Sequence, residues 1–411
     1  MIILLIALTA FSIYTLFRRF VKNPAGSLIN PLFLLLCFSL LYFILPTFYI
    51  EYTLLVVQRN VESSTILHAK LFSAWYVFCF LIFYLFSIDQ KLTLNGQPNN
   101  QTVLIAKTLW LLITILLIVI IVLYVPQIYA VRGNRGLAFS MYERLINSRF
   151  KLRILLYTHI GIMFILFWKY RSLFWLLPCL LYLIIDYSHG GRTVSFIVLL
   201  FAYFVLILKT NRSYLKYAFF AIIALASLGV MQRGASTSLV VNLYMAAAEF
   251  TNTHLTTLFL LDDATLYKGS PSTYAVVSLS RVLPGGLVAR LLEFDTWYGE
   301  GLSRNIGFGF GLAGNLITEA LVYGGRYWAV INPLIIGGFL FLLNRTNLYK
   351  NLWGFLYILF ICITMQIIVR QYFYGFVFYP LQMIFFPLFW SIAETRKKLF
   401  KDYSYETKIN A

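Results

Sequence analysis

The 411-residue chain is 61% apolar and 12% charged, with a mean hydropathy of +0.80. A soluble domain sits near about half apolar and a quarter charged, so this composition excludes a soluble enzyme, a disordered chain and a coiled coil. The 33 Lys and Arg outnumber the 15 Asp and Glu for a net charge of +18, which in a membrane protein marks cytoplasmic loops, a phosphate site, or both.

A bilayer crossing takes roughly 20 apolar residues. Eight apolar runs come in quick succession, at about 2–17, 31–50, 66–88, 103–125, 152–168, 172–188, 193–208 and 213–231. The rhythm then stops: 232–325 mixes Gly, Thr, Asn and charges among short apolar stretches. Three further runs follow, at about 326–343, 353–369 and 376–393, before a basic tail. Met1 to Phe17 is apolar from its first residue and is followed by Arg18 and Arg19. A cleaved signal peptide has the opposite charge order, so this segment reads as a retained helix with its N-terminus outside. Cys37, Cys79, Cys179 and Cys362 all lie inside apolar runs and read as small hydrophobes rather than disulfide or thiolate ligands.

Orientation follows from charge. With the N-terminus outside, Arg18, Arg19 and Lys22, then Lys91, Lys169, Arg171, Lys209, Arg212 and Lys216 fall on the cytoplasmic side. If 232–325 returns to the side it left, Arg345, Lys350 and the tail (Arg396, Lys397, Lys398, Lys401) fall there too, as the positive-inside rule demands. The expectation is an all-α polytopic membrane protein of about 11 transmembrane helices, N-out and C-in. Residues 1–231 hold the first eight helices, 232–325 a large periplasmic loop, and 326–411 the last three with the cytoplasmic tail. Within the loop, Leu239 to Leu261 and Gly307 to Tyr323 are too apolar for free solution and too polar for lipid. They read as helices lying on, or dipping into, the outer end of the bundle.

A second basic population falls outside. The external segment between the fourth and fifth helices carries Arg132, Arg135, Arg144 and Arg149, with Lys151 and Arg153 at the next helix start and only Glu143 to offset them. They form either an interfacial helix on lipid headgroups or a collar for an anionic lipid-linked substrate. Arg192, Arg233, Arg281, Arg290, Arg304, Arg326 and Arg370 are further external arginines. An Arg at membrane depth costs roughly 2.5–3.5 kcal/mol on insertion scales and so has a partner or a task. Its planar fork suits phosphate. Arg192, Arg233 and Arg370 each end a hydrophobic run at the outer surface, and with Arg281 they are the candidate pyrophosphate ligands.

Eight of the fifteen carboxylates lie between residues 186 and 325. Glu249 (in Ala246-Ala247-Ala248-Glu249-Phe250) and Glu319 (in Leu316-Ile317-Thr318-Glu319-Ala320) are single acids in apolar, helix-like stretches. Desolvation there raises a carboxyl toward the range of a general base, although pairing with Arg is the commoner use. Asp186, His189 and Arg192 cluster in Asp186-Tyr187-Ser188-His189-Gly190-Gly191-Arg192-Thr193, where the glycines free backbone N–H groups and Thr193 caps the next helix. Glu319, Glu249, His189 and Asp186 are the candidate acid–base residues. No Walker A loop, Rossmann glycine pattern, His-Glu-x-x-His or Gly-x-Ser-x-Gly occurs, and His68, His159 and His254 are dispersed. Neither a metal nor another cofactor is expected.

The helix count, the large external loop before the last three helices, the Gly190-Gly191-Arg192-Thr193 turn and the stretch Asn315 to Gly325 resemble O-antigen polymerases of the Wzy type. In that family a Glu precedes an aromatic-Gly turn shortly before a helix, as Glu319 precedes Tyr323-Gly324-Gly325 here. The resemblance implies a GT-C-like glycosyltransferase architecture in the bacterial inner membrane. Donor and acceptor would both be undecaprenyl-pyrophosphate-linked oligosaccharides, with membrane lipids and a polysaccharide chain-length regulator as partners and no nucleic acid. External arginines would then stabilise the departing pyrophosphate, and a carboxylate or His189 would take the acceptor proton. An O-antigen ligase shares this layout, and a flippase or a lipid-binding scaffold remains a reading from another class. Functional-looking charge on one face only argues for chemistry or binding at that face.

Overall fold

The computed structural model describes residues 1–56, 60–90, 98, 100–131, 141, 152–189, 193–210, 212–218, 239–263, 270, 272, 314–350 and 352–370. Among these residues the chain is helical, with no strand. The principal helices are α1 (Ile2–Lys22), α2 (Pro31–Thr47), α3 (Ser63–Phe86), α4 (Asn100–Ala130), α5 (Leu152–Tyr170), α6 (Pro178–His189), α7 (Thr193–Thr210), α8 (Leu239–Asp262), α9 (Leu316–Arg345) and α10 (Leu352–Arg370). Six of them (α1, α3, α4, α7, α9 and α10) are long and apolar enough to cross a membrane. Three shorter apolar helices, at Pro31–Thr47, Leu155–Tyr170 and Leu173–Ser188, accompany them. Nine of the eleven apolar runs therefore fall on described helices. The runs at 376–393 and, beyond residue 218, at 213–231 lie outside the described residues.

Local chemistry sets the starts and bends. Asn30 ends the first connection by accepting the N–H of Leu32 through its side chain, with Pro31 pre-set at the first helical position of α2. A wider π turn at Leu40–Ile44 precedes Pro46, which removes one backbone donor from the ladder.

α3 is the central post. It packs against α2, α8 and α9, and more lightly against α1, while α10 packs on α2. A second group, α4, α5 and α6, joins through α7, which contacts both α6 and α10. Phe164 of α5 meets Phe355 of α10 with ring centroids 5.0 Å apart. Outward faces stay apolar: Ile2 and Ile3 on α1 and Leu104 and Val122 on α4 are exposed. In water that would be a large penalty; against lipid it is the expected surface.

Polar groups tie the helix ends at one end of the bundle. Arg19 donates from Nη1 to the carbonyls of Tyr84 (2.8 Å) and Ser87 (3.1 Å) and from Nη2 to that of Leu85 (2.7 Å). It thereby satisfies the last carbonyls of α3. Asn344 at the end of α9 donates to the carbonyl of Ile88, and Tyr349 joins Asn344 to Ile29. Arg19, Arg345 and Lys350, all read from sequence as lying on one side, belong to this end. Arg326 belongs to the opposite end, where its Nη2 donates to the carbonyl of Leu261.

Candidate functional site: a polar core between α8 and α9

α9 is two helices in one. Gly325 has φ 64° and ψ −160°, a conformation closed to other residues, and it divides a short arm from a long one. The short arm, 316–324, begins inside the bundle. The carbonyl of Leu316 accepts a hydrogen bond from Tyr76 Oη (3.4 Å), and the same hydroxyl accepts from Asn332 Nδ2 (3.3 Å) on the long arm. Tyr76 lies midway along α3, so the short arm starts at mid-depth, rises to the Gly325 kink beside Leu261, and the long arm descends. Of the stretch 307–323, residues 316–323 form this arm, and residues 307–313 lie outside the described residues.

A helix end buried at mid-depth leaves backbone N–H groups that need acceptors. Asn315 supplies one: its Oδ1 accepts from the N–H of Ile317 (2.9 Å) and of Thr318 (3.0 Å). Its Nδ2 donates to the Thr253 carbonyl (3.0 Å) and to Thr257 Oγ1 (3.1 Å) on α8. Thr257 Oγ1 and Thr318 Oγ1 lie 3.0 Å apart and close the ring. Asn315 is extended (φ −145°, ψ −179°), as an N-cap residue is.

Around this ring the interior is polar. Thr251, Thr253, His254, Thr256 and Thr257 on α8, and Asn315, Thr318 and Glu319 on α9, are all wholly buried. Leu255, Leu258, Leu316 and Leu321 are wholly buried among them. Among the described residues His254 has no hydrogen-bond partner at either ring nitrogen, which for a buried imidazole is unusual. Glu319 stands in the first turn of the short arm, where the helix dipole favours a negative charge. An ionisable group in the interior of an apolar bundle is expensive and reads as functional by default.

The other candidates are placed unevenly. Asp186, 1% exposed, accepts the N–H of Ser195 at Oδ2 (2.8 Å). It thus closes the N-terminus of α7 from the preceding helix, a role the sequence pattern assigned to Thr193, which is the first helical residue of α7. His189 is the last residue of α6 and Glu249 lies within α8, but their side chains lie outside the described residues, as do Arg192, Arg233 and Arg281 altogether. Arg370 ends α10, partly buried, one turn beyond Gln366, whose Nε2 donates to Tyr42 Oη. Tyr42 in turn meets Phe250 of α8 edge-on at 4.8 Å, so α10 carries Arg370 to the α8 side of the bundle.

Sequence reading missed His254 and the threonines. The signal was present: four threonines and a histidine within Thr251 to Thr257, in a helix otherwise apolar toward its C-terminus. Among the described residues no group of three or more His, Cys, Asp or Glu is placed to hold a metal ion. No protein-family model, no curated protein and no solved structure matches the chain.

Proposed function

We propose that the chain is a glycosyltransferase of the bacterial inner membrane, N-terminus periplasmic and C-terminus cytoplasmic, that polymerises undecaprenyl-pyrophosphate-linked oligosaccharide repeat units at the periplasmic face. The observation that carries this reading is Glu319, wholly buried in the first turn of the short arm and next in the chain to Thr318 of the Asn315–Thr257–Thr318 ring. Such a carboxylate, held off from bulk water, is matched to taking a proton from a sugar hydroxyl.

In the reaction the acceptor hydroxyl oxygen bonds to the anomeric carbon of the donor. The bond from that carbon to the pyrophosphate oxygen breaks, and its electron pair leaves with undecaprenyl pyrophosphate. The hydroxyl proton passes to Glu319, with Glu249, His189 and Asp186 as the remaining candidates. Arginine forks at Arg192, Arg233, Arg281 and Arg370 bind the pyrophosphate and stabilise the charge it gains on leaving. Pyrophosphate is already a good leaving group, so the proposal uses no metal.

Deletion of the gene, scored on a gel of surface glycans, tests it. Collapse of the ladder to a single repeat unit is the expected outcome. Loss of all capped core indicates a ligase instead, and an unchanged ladder overturns the proposal.

A further inference from the structure

A cleft of about 650 Å³ opens at the end of the bundle that holds Arg326, between the start of α1 and the first two turns of α3. Met1, Ile2, Ile3, Ile66 and Leu67 wall it, and Glu51, Ser63 and Lys70 supply its polar lining. Lys70 lies about 10 Å along α3 from Ser63, at 1.5 Å per residue. Its side chain is only 14% exposed. Its ion-pair partner is Glu51 at 3.6 Å, whose side chain is 79% exposed. That pair is screened and weak, so a largely desolvated ammonium faces a cleft with apolar walls. Ile2, Ile3 and Leu67 are themselves exposed, and on an apolar bundle of membrane-crossing helices such a surface meets lipid.

We propose that this cleft holds one anionic glycerophospholipid of the surrounding leaflet, its phosphodiester on Lys70 Nζ and an acyl chain along Ile66, Leu67 and Ile2. Among the described residues Lys70 is the one basic side chain that lines the cleft, and its single charge matches that of a phosphodiester. A pyrophosphate carries more charge, and Glu51 beside Lys70 opposes it. Lysine is also a compact point charge rather than the bidentate fork that suits a pyrophosphate. Ser63 adds a hydroxyl donor for a headgroup oxygen. Lys70 lies within electrostatic reach of His254 in the polar core, but the existence of the cleft does not depend on the reaction proposed there.

Native mass spectrometry of the full chain, delipidated in detergent and titrated with phosphatidylglycerol, diacylglycerol or undecaprenyl pyrophosphate, tests the assignment. Phosphatidylglycerol is expected to give a retained 1:1 adduct and diacylglycerol none. Lys70→Gln is expected to weaken the adduct roughly tenfold, the scale of a lost contact to a charged group, and Lys70→Arg to keep it. Glu51→Gln, at an exposed position, should strengthen it. Leu67→Trp fills the cleft with Lys70 intact and should abolish the adduct, which decides the matter if Lys70→Gln is not recovered folded. Equal retention of diacylglycerol, an adduct indifferent to these substitutions, or tighter retention of undecaprenyl pyrophosphate overturns the proposal.

Discussion

At two helix N-termini of this bundle buried side chains meet the first backbone N–H groups, and the closing groups differ. At α7 the closing group is a carboxylate: Asp186 of the preceding helix accepts the N–H of Ser195. At the short arm of α9 it is an amide: Asn315 accepts the N–H groups of Ile317 and Thr318. Asp186 and Glu319 stand together in the sequence as candidate acid–base residues, one in a cluster with His189 and Arg192 and the other a single acid in an apolar stretch. The structure separates them. Asp186 is held in a cap, whereas at α9 the capping is done by Asn315, and Glu319 follows, wholly buried, in the first turn of the arm.

The comparison breaks first at Glu319. Glu319→Gln keeps shape and removes the charge, so long glycan chains should vanish from the ladder while protein level and insertion hold. Glu319→Asp, shorter by one methylene, should retain a residue of activity. A ladder of normal length in Glu319→Gln would return Glu319 to the same standing as Asp186.

The kink comes next. Gly325→Ala places a Cβ on a backbone at φ 64° and ψ −160°, a strain of roughly 1–3 kcal/mol. The two arms of α9 should then misalign. The expected result is a lower midpoint for loss of the monodisperse detergent-solubilised protein on heating, together with a shortened ladder.

Asn315→Ala tests the cap itself. Loss of an N-cap side chain costs about 0.5–2 kcal/mol, and leaving Thr257 and Thr318 with one acceptor fewer in a buried ring adds about 1–3 kcal/mol. The midpoint should fall and the ladder shorten. Asn315→Asp, which preserves the acceptor for Ile317 and Thr318, should recover part of the midpoint.

The smallest effect belongs to Asp186→Asn. The amide oxygen still accepts from Ser195, so both midpoint and ladder should stay near those of the unmodified protein. Asp186→Ala removes the acceptor and should lower the midpoint by the equivalent of about 0.5–2 kcal/mol with chain length preserved. Loss of glycan in Asp186→Asn at normal protein level would show that its charge, and not its capping, matters.

Hydropathy made the long helices legible. The runs at 66–88, 103–125 and 353–369 correspond to α3, α4 and α10 with ends displaced by a few residues. α8 was harder to read, because six polar residues from Thr251 to Thr257 argue against an interior position. They are accommodated by bonds that sequence does not display. Thr253 Oγ1 donates to the Phe250 carbonyl and Thr256 Oγ1 to that of Asn252, while Thr257 meets Asn315 from a distant part of the chain. Asn315 itself carried no mark beyond being an Asn before an apolar run. Its importance comes from where the short arm begins, and that depth is set by Tyr76 on α3. Gly324-Gly325 was visible as a turn before a helix; the structure shows the helix on both sides of it, with the bend absorbed by one residue. Lys70 escaped notice because a lone Lys in an apolar helix has no pattern, and only the cleft beside it gives it meaning.

The most direct test of the Glu319 core is a single measurement. Membranes carrying either the unmodified protein or Glu319→Gln, at matched protein level, are given lipid-pyrophosphate-linked repeat units, and glycan chain length is read on a gel. Extension by the unmodified protein and none by Glu319→Gln is the predicted result. Equal extension by both would contradict it.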